Sequence, residues 1–186
     1  MNNTFKNAAW AFSIALLLPV FAAAELPQQT KARKEAMQLT RSIEVTSRKI
    51  HNEAENLSVA QRNSQFSKQS HQIKLQRIAT HINENLKPAF DRLDELKPDL
   101  PEWNQVAIDQ MRTSAATLAA NTNEAILNRN TSQHGHPAIL DPEYGGLVAN
   151  MTTHADALVQ IADDTSDYSG SQLKGHQAGL PIASHN

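Results

Sequence analysis

The chain contains no cysteine. That absence excludes disulfides, thiol catalysis, covalent c-type haem and thiolate metal sites. In an oxidising compartment, stability therefore has to come from packing alone. Glycine is nearly as scarce. All six glycines lie at Gly135 or later, so the first 134 residues hold none. That run is rich in Ala, Leu, Gln, Glu, Lys and Arg, a composition that favours long helices. Period-two alternation of apolar and polar residues is missing, so no sheet is expected. The Glu-x-x-His pairs of di-iron bundles are missing, as are His-Glu-x-x-His and the glycine loops that hold phosphate. No nucleophile, base and acid fall into a set, and an enzyme is not expected.

What is present begins with an address. Residues 2–7 form a polar segment carrying Lys6, and residues 8–20 are apolar, with Leu16, Leu17 and Leu18 at their centre. Pro19 follows, and Ala22, Ala23 and Ala24 supply small residues for cleavage before Glu25. This is the pattern of a bacterial-type secretory signal peptide covering residues 1–24. Its apolar run is short for a spanning helix, which needs about 20 residues. No later stretch is long enough to span either. No cysteine stands after the signal to take a lipid. The expected address is periplasmic or secreted.

Charge divides by halves. Residues 25–98 hold 13 Lys/Arg and 9 Asp/Glu, whereas residues 99–186 hold 3 and 10. The halves can attract each other within one fold. Neither is basic enough to point to nucleic acid.

Periodicity then places four helices. Ala36, Ile43, Ile50 and Leu57 repeat every seven residues, with Leu39 and Thr46 on the neighbouring register, and predict a helix over 29–59. Its first turns carry Lys31, Arg33 and Lys34, which oppose the dipole at a helix start. Leu75, Ile78, Ile82, Leu86, Ala89, Leu93 and Leu96 predict a second helix over 67–96. Pro88 interrupts it at a cost of ~3 kcal/mol, yet the apolar phase continues on both sides, which means a kink and not a break. Pro98 and Pro101 stop it. Asp99 with Glu102 reads as a capping box for the third helix, whose face runs from Trp103 to Ile126. Asp141 as N-cap and Pro142 at the first helical position open the fourth. There Tyr144, Met151, Leu158 and Thr165 form one row, and Leu147, His154, Ile161 and Tyr168 a second.

The expected fold is all-α: an antiparallel up-down-up-down four-helix bundle over residues 25–168, with a disordered tail over 169–186. The helices would be ~40–45 Å long at 1.5 Å per residue.

His154 is the one ionisable residue in the expected seam of the fourth helix. Buried without a partner it would cost ~1–3 kcal/mol, and burial would make the bundle sensitive to acid. By depth along the bundle, His51 and His81 lie in neighbouring layers. Three histidines at one level could hold zinc or copper. The plainer reading is one satisfied core histidine and two surface ones. Met111 and Met151 fall within about a turn of His154 and could ligate haem with it, although methionine at helical spacing is usually core filler. His134 and His136 share the longest loop, and the plainer reading there is a polar loop. Asp163, Asp164 and Asp167 fall near the basic start of the first helix, where ion pairing would account for them.

The main functional expectation is a binding or interaction role for an envelope protein or a small ligand, with no resident cofactor. The alternative is a haem or transition-metal carrier centred on His154.

Overall fold

The structure is a computed structural model that describes residues 27–62, 68–130 and 141–177. The expected signal peptide, the loop with His134 and His136, and residues 178–186 lie outside the described residues. Every described element is helical, and together they make four long helices. α1 is Pro27–Arg62. The second long helix has three parts: α2 (Lys68–His81), a π turn (Ile82–Leu86) and α3 (Lys87–Leu96). A short 3-10 turn, Lys97–Asp99, follows. α4 is Glu102–Asn130 and α5 is Pro142–Gln177. One apolar cluster draws on every long helix.

α1 buries Ala36, Ile43, Ile50 and Leu57, the row its heptads predict. The deeper companion row is Thr40, Ser47 and Ala54, and Leu39 is only partly buried. α5 repeats this arrangement. Tyr144, Met151, Leu158 and Thr165 are buried as expected, but their companions are Val148, Ala155 and Ala162. In both helices the large row alternates with a row of small side chains three residues earlier. Dispersion contact is lost over gaps of half an ångström or so, and small side chains let two helices close that gap. α1 and α5 share the most extensive helix–helix contact in the molecule.

This arrangement corrects the expected second row of α5. Leu147 is buried, but His154 and Ile161 are only partly buried, and Tyr168 is 46% exposed. The row of large residues drew the reading because hydrophobicity scales with side-chain area. Packing chose the neighbouring row of small ones. α5 also runs on to Gln177, through Gly170 and into the segment expected to be a tail.

The helix ends are built locally. Asp141 caps α5: its Oδ1 accepts from the backbone N–H of Glu143 at 2.9 Å, and its carbonyl accepts from Gly145 N–H at 3.0 Å. α4 opens differently from the expected Asp99–Glu102 box. The carbonyl of Pro101 accepts from the N–H groups of Asn104 and Gln105, and the Gln105 side chain reaches back to the Leu100 carbonyl at 2.8 Å.

Pro88 leaves the helical path continuous. The adjustment lies just before it, where Lys87 N–H donates to the Ile82 carbonyl five residues back. Such a widened turn holds one surplus residue and relieves the crowding that a proline ring imposes on the preceding turn. The buried positions keep their spacing of three or four across the wide turn. His71, Leu75, Ile78 and Ile82 give way to Leu86, Ala89, Phe90 and Leu93. Asn85 and Arg92 remain outside.

Contacts between helices fix which levels meet. Arg92 Nε donates to Glu35 at 2.6 Å, and Lys74 Nζ to Glu53 at 3.0 Å. Lys97 Nζ donates to Asp109 at 2.6 Å, and Arg112, stacked over the Phe90 ring, pairs with Asp94. Thr122 Oγ1 lies 3.2 Å from the Met151 sulfur, and the Trp103 and Tyr168 rings meet edge-on at 4.5 Å. Gln61 covers Gly145 so closely that a Cβ there would lie 2.7 Å from its Nε2.

The Arg92 guanidinium, hydrogen-bonded to Glu35, holds the Glu35 carboxyl below the usual carboxylate range. Any stability from this pair is therefore present above the ordinary carboxylate pKa and is lost as pH falls through the folded value. In Arg92→Leu, the Glu35 carboxyl should titrate at a higher pH than in the wild type, measured by carbon NMR of the side chain. An unmoved midpoint would mean that the pair does not persist in solution.

Candidate functional site

The structure places His51, His81 and His154 each on a different helix. His154 is partly buried on a flank of α5 and is not a seam residue. His81 lies 3.4 Å from Asn85 Oδ1 on its own helix, in an exposed setting. His51 is partly buried, not fully solvated as its position after a seam residue suggested. Among the described residues, no three His, Asp or Glu side chains converge to hold a metal ion.

The two methionines are wholly buried in the apolar cluster. The Trp103–Tyr168 and Thr122–Met151 contacts bracket Met111 opposite Ile161. That is about two turns from His154 at 3.6 residues per turn, further than a shared axial pair would need. Asp163, Asp164 and Asp167 are exposed, and no ion pair joins them to Lys31 or Lys34 among the described residues.

Sequence reasoning missed His71. It is fully buried near the start of α2, and its Nδ1 lies 3.0 Å from the Tyr144 hydroxyl of α5. The segment before it is polar, and reading that segment as a turn hid the residue. Its place one step before Leu75 in the apolar row was the available signal.

A groove of about 540 Å³ runs between α1 and α5. α1 contributes His51, Glu55, Ser58 and Val59, and α5 contributes Ala149, Thr152, Thr153 and Asp156. These positions lie just outside the small-residue rows. The longer side chains of the two helices form its rims. His51 Nε2 lies 3.5 Å from Glu55 Oε1, and its Nδ1 is enclosed without a hydrogen-bond partner. Thr152 and Thr153 donate their hydroxyl protons to the carbonyls of Val148 and Ala149 at 3.2 and 3.1 Å. One oxygen of Asp156 accepts from Gln160 at 3.0 Å. Val59, 53% exposed, and Ala149 give the groove an apolar side.

Comparison of the chain with models of protein families, with curated proteins and with solved structures finds no match. The groove is thus read from its own chemistry. It holds two carboxylates, one histidine, the Ser58 hydroxyl and two threonines whose protons are already engaged. Such a set can bind and orient a ligand.

Proposed function

We propose that this chain is an exported, antiparallel up-down-up-down four-helix bundle whose work is binding and not catalysis. The topology is supported by the paired levels of neighbouring helices. Residues 35 and 53 of α1 meet 92 and 74 of the second long helix, residues 94 and 97 meet 112 and 109, and residues 103 and 122 of α4 meet 168 and 151 of α5. Each pair of numbers runs in opposite directions, as antiparallel neighbours require. Export rests on the apolar stretch at 8–20 with the small residues Ala22 to Ala24, and gives a periplasmic or secreted address for the domain that starts at residue 25.

The α1–α5 groove carries the binding reading. Its volume falls within the usual ~300–1,000 Å³ of small-ligand sites, and a few polar groups stand beside an apolar wall. A small ligand is therefore favoured over an envelope protein as the occupant. The test is a thermal-shift screen of the full chain against amines, carboxylates, sugars and short peptides, with hits located by amide chemical shifts. A hit that perturbs residues 51–59 and 149–156 supports the reading, and Ala149→Trp, which fills the groove, should abolish it. No hit in any class, or hits located elsewhere, would overturn it. Absorption and elemental analysis of the purified protein separate the carrier alternative: a Soret band or stoichiometric metal, lost in His154→Ala, would replace this reading.

A further inference from the structure

We propose that the α1–α5 groove takes a small aliphatic amine bearing two or more positive charges, held by Glu55 and Asp156. The inference rests on the binding reading above and names the ligand class of that same site. It comes from which hydrogen-bonding groups the groove leaves open. Thr152 and Thr153 donate to their own helix, so what they show the groove is lone pairs. Glu55 and Asp156 have only lone pairs to offer as carboxylates.

Two carboxylates and two threonine lone-pair faces, with the Ser58 hydroxyl able to accept as well as donate, favour a ligand made of donors. A carboxylate, a phosphate or a sulfate would meet only repulsion from Glu55 and Asp156. A sugar brings donors and acceptors in equal measure and would leave half of them unmatched. A bare metal ion needs several ligands converging on one point, and no such trio exists among the described residues. A protonated amine has three donors and no acceptor, the same inventory as a lysine head group. The groove also lies between two helices that hold one carboxylate each, one on either rim. That separation suits charges placed at intervals along a chain better than one compact ion. Val59 and Ala149 then lie against the methylenes between the charges.

The experiment is isothermal titration calorimetry of the full chain with spermidine at low salt. The expected result is saturable binding of one ligand per chain. Glu55→Gln and Asp156→Asn should each weaken it at least tenfold while the helical circular dichroism stays unchanged. Asp164→Asn removes an equally exposed charge from α5 outside the groove and should alter affinity by less than twofold. No saturable heat with wild-type protein would overturn the proposal. So would equal weakening by Asp164→Asn, which would mean that spermidine only screens an acidic helix. A ligand of another class found in the groove by the screen would sink the amine and leave the binding site standing. Silence in both experiments would sink both.

Discussion

Tyr144→Ala should destabilise the protein by ~3–5 kcal/mol, the usual cost of deleting a large buried ring. Tyr144 is fully buried near the start of α5, in the apolar cluster, with its hydroxyl 3.0 Å from His71 Nδ1. Two effects add there. The ring fills the space where the starts of α2 and α5 come together, and its hydroxyl meets a polar atom that water does not reach. Tyr144→Phe separates them. It keeps the ring and removes the hydroxyl with its contact to His71, and should cost ~1–3 kcal/mol. Urea unfolding followed by circular dichroism measures both. A domain of this size has ~5–15 kcal/mol in total, so the alanine variant should be partly unfolded well below the wild-type midpoint. A neutral Tyr144→Phe would show that the hydroxyl is dispensable to His71.

Ala155→Leu should destabilise the protein by ~1–3 kcal/mol. Ala155 is fully buried in the small row where α5 packs along α1, and Ala54 and Ser47 on α1 are fully buried as well. Three additional heavy atoms have no space unless the two helices part. Parting them lengthens the contact gap along the whole interface, which forfeits dispersion energy over many atoms at once. The same enlargement at Ala149, which is exposed on the same helix, should stay within about 0.5 kcal/mol. If Ala155→Leu behaved like Ala149→Leu, the close approach of α1 and α5 would be wrong.

These two residues also mark the limits of what the chain discloses as text. The large rows were legible: Ile43, Ile50 and Leu57 on α1, and Met151 and Leu158 on α5, are where their period puts them. So was the start of α5, because Asp141 followed by Pro142 is a cap with a mechanism. The small rows were not legible. Alanine, serine and threonine score alike on a surface and in a tight interface, so nothing local separates Ala155 from Ala149. A preference for large residues places His154 in a seam that Ala155 occupies, and the metal and haem expectations depend on that placement. The groove was hidden for a related reason. Glu55 and Asp156 are ordinary polar residues of a solvated face until α1 and α5 are brought side by side, and they lie a hundred residues apart in the chain.

The π turn at Ile82–Leu86 also bears on chain length. One residue there is surplus to an α-helical path, so this turn is the place where the helix can be shortened. Removing Glu84 would let the turn relax to ordinary α geometry, with Ile82 and Leu86 brought from four positions apart to three and both still facing inward. Removing Gln76 would instead rotate everything on one side by about 100° and bring polar residues into the core. With Pro88→Ala included to take away the ring that the wide turn accommodates, the Glu84 deletion should melt cooperatively near the parent, and the Gln76 deletion should not fold. Among the described helices, this turn is thus a locus where losing a codon leaves the reading of the core intact.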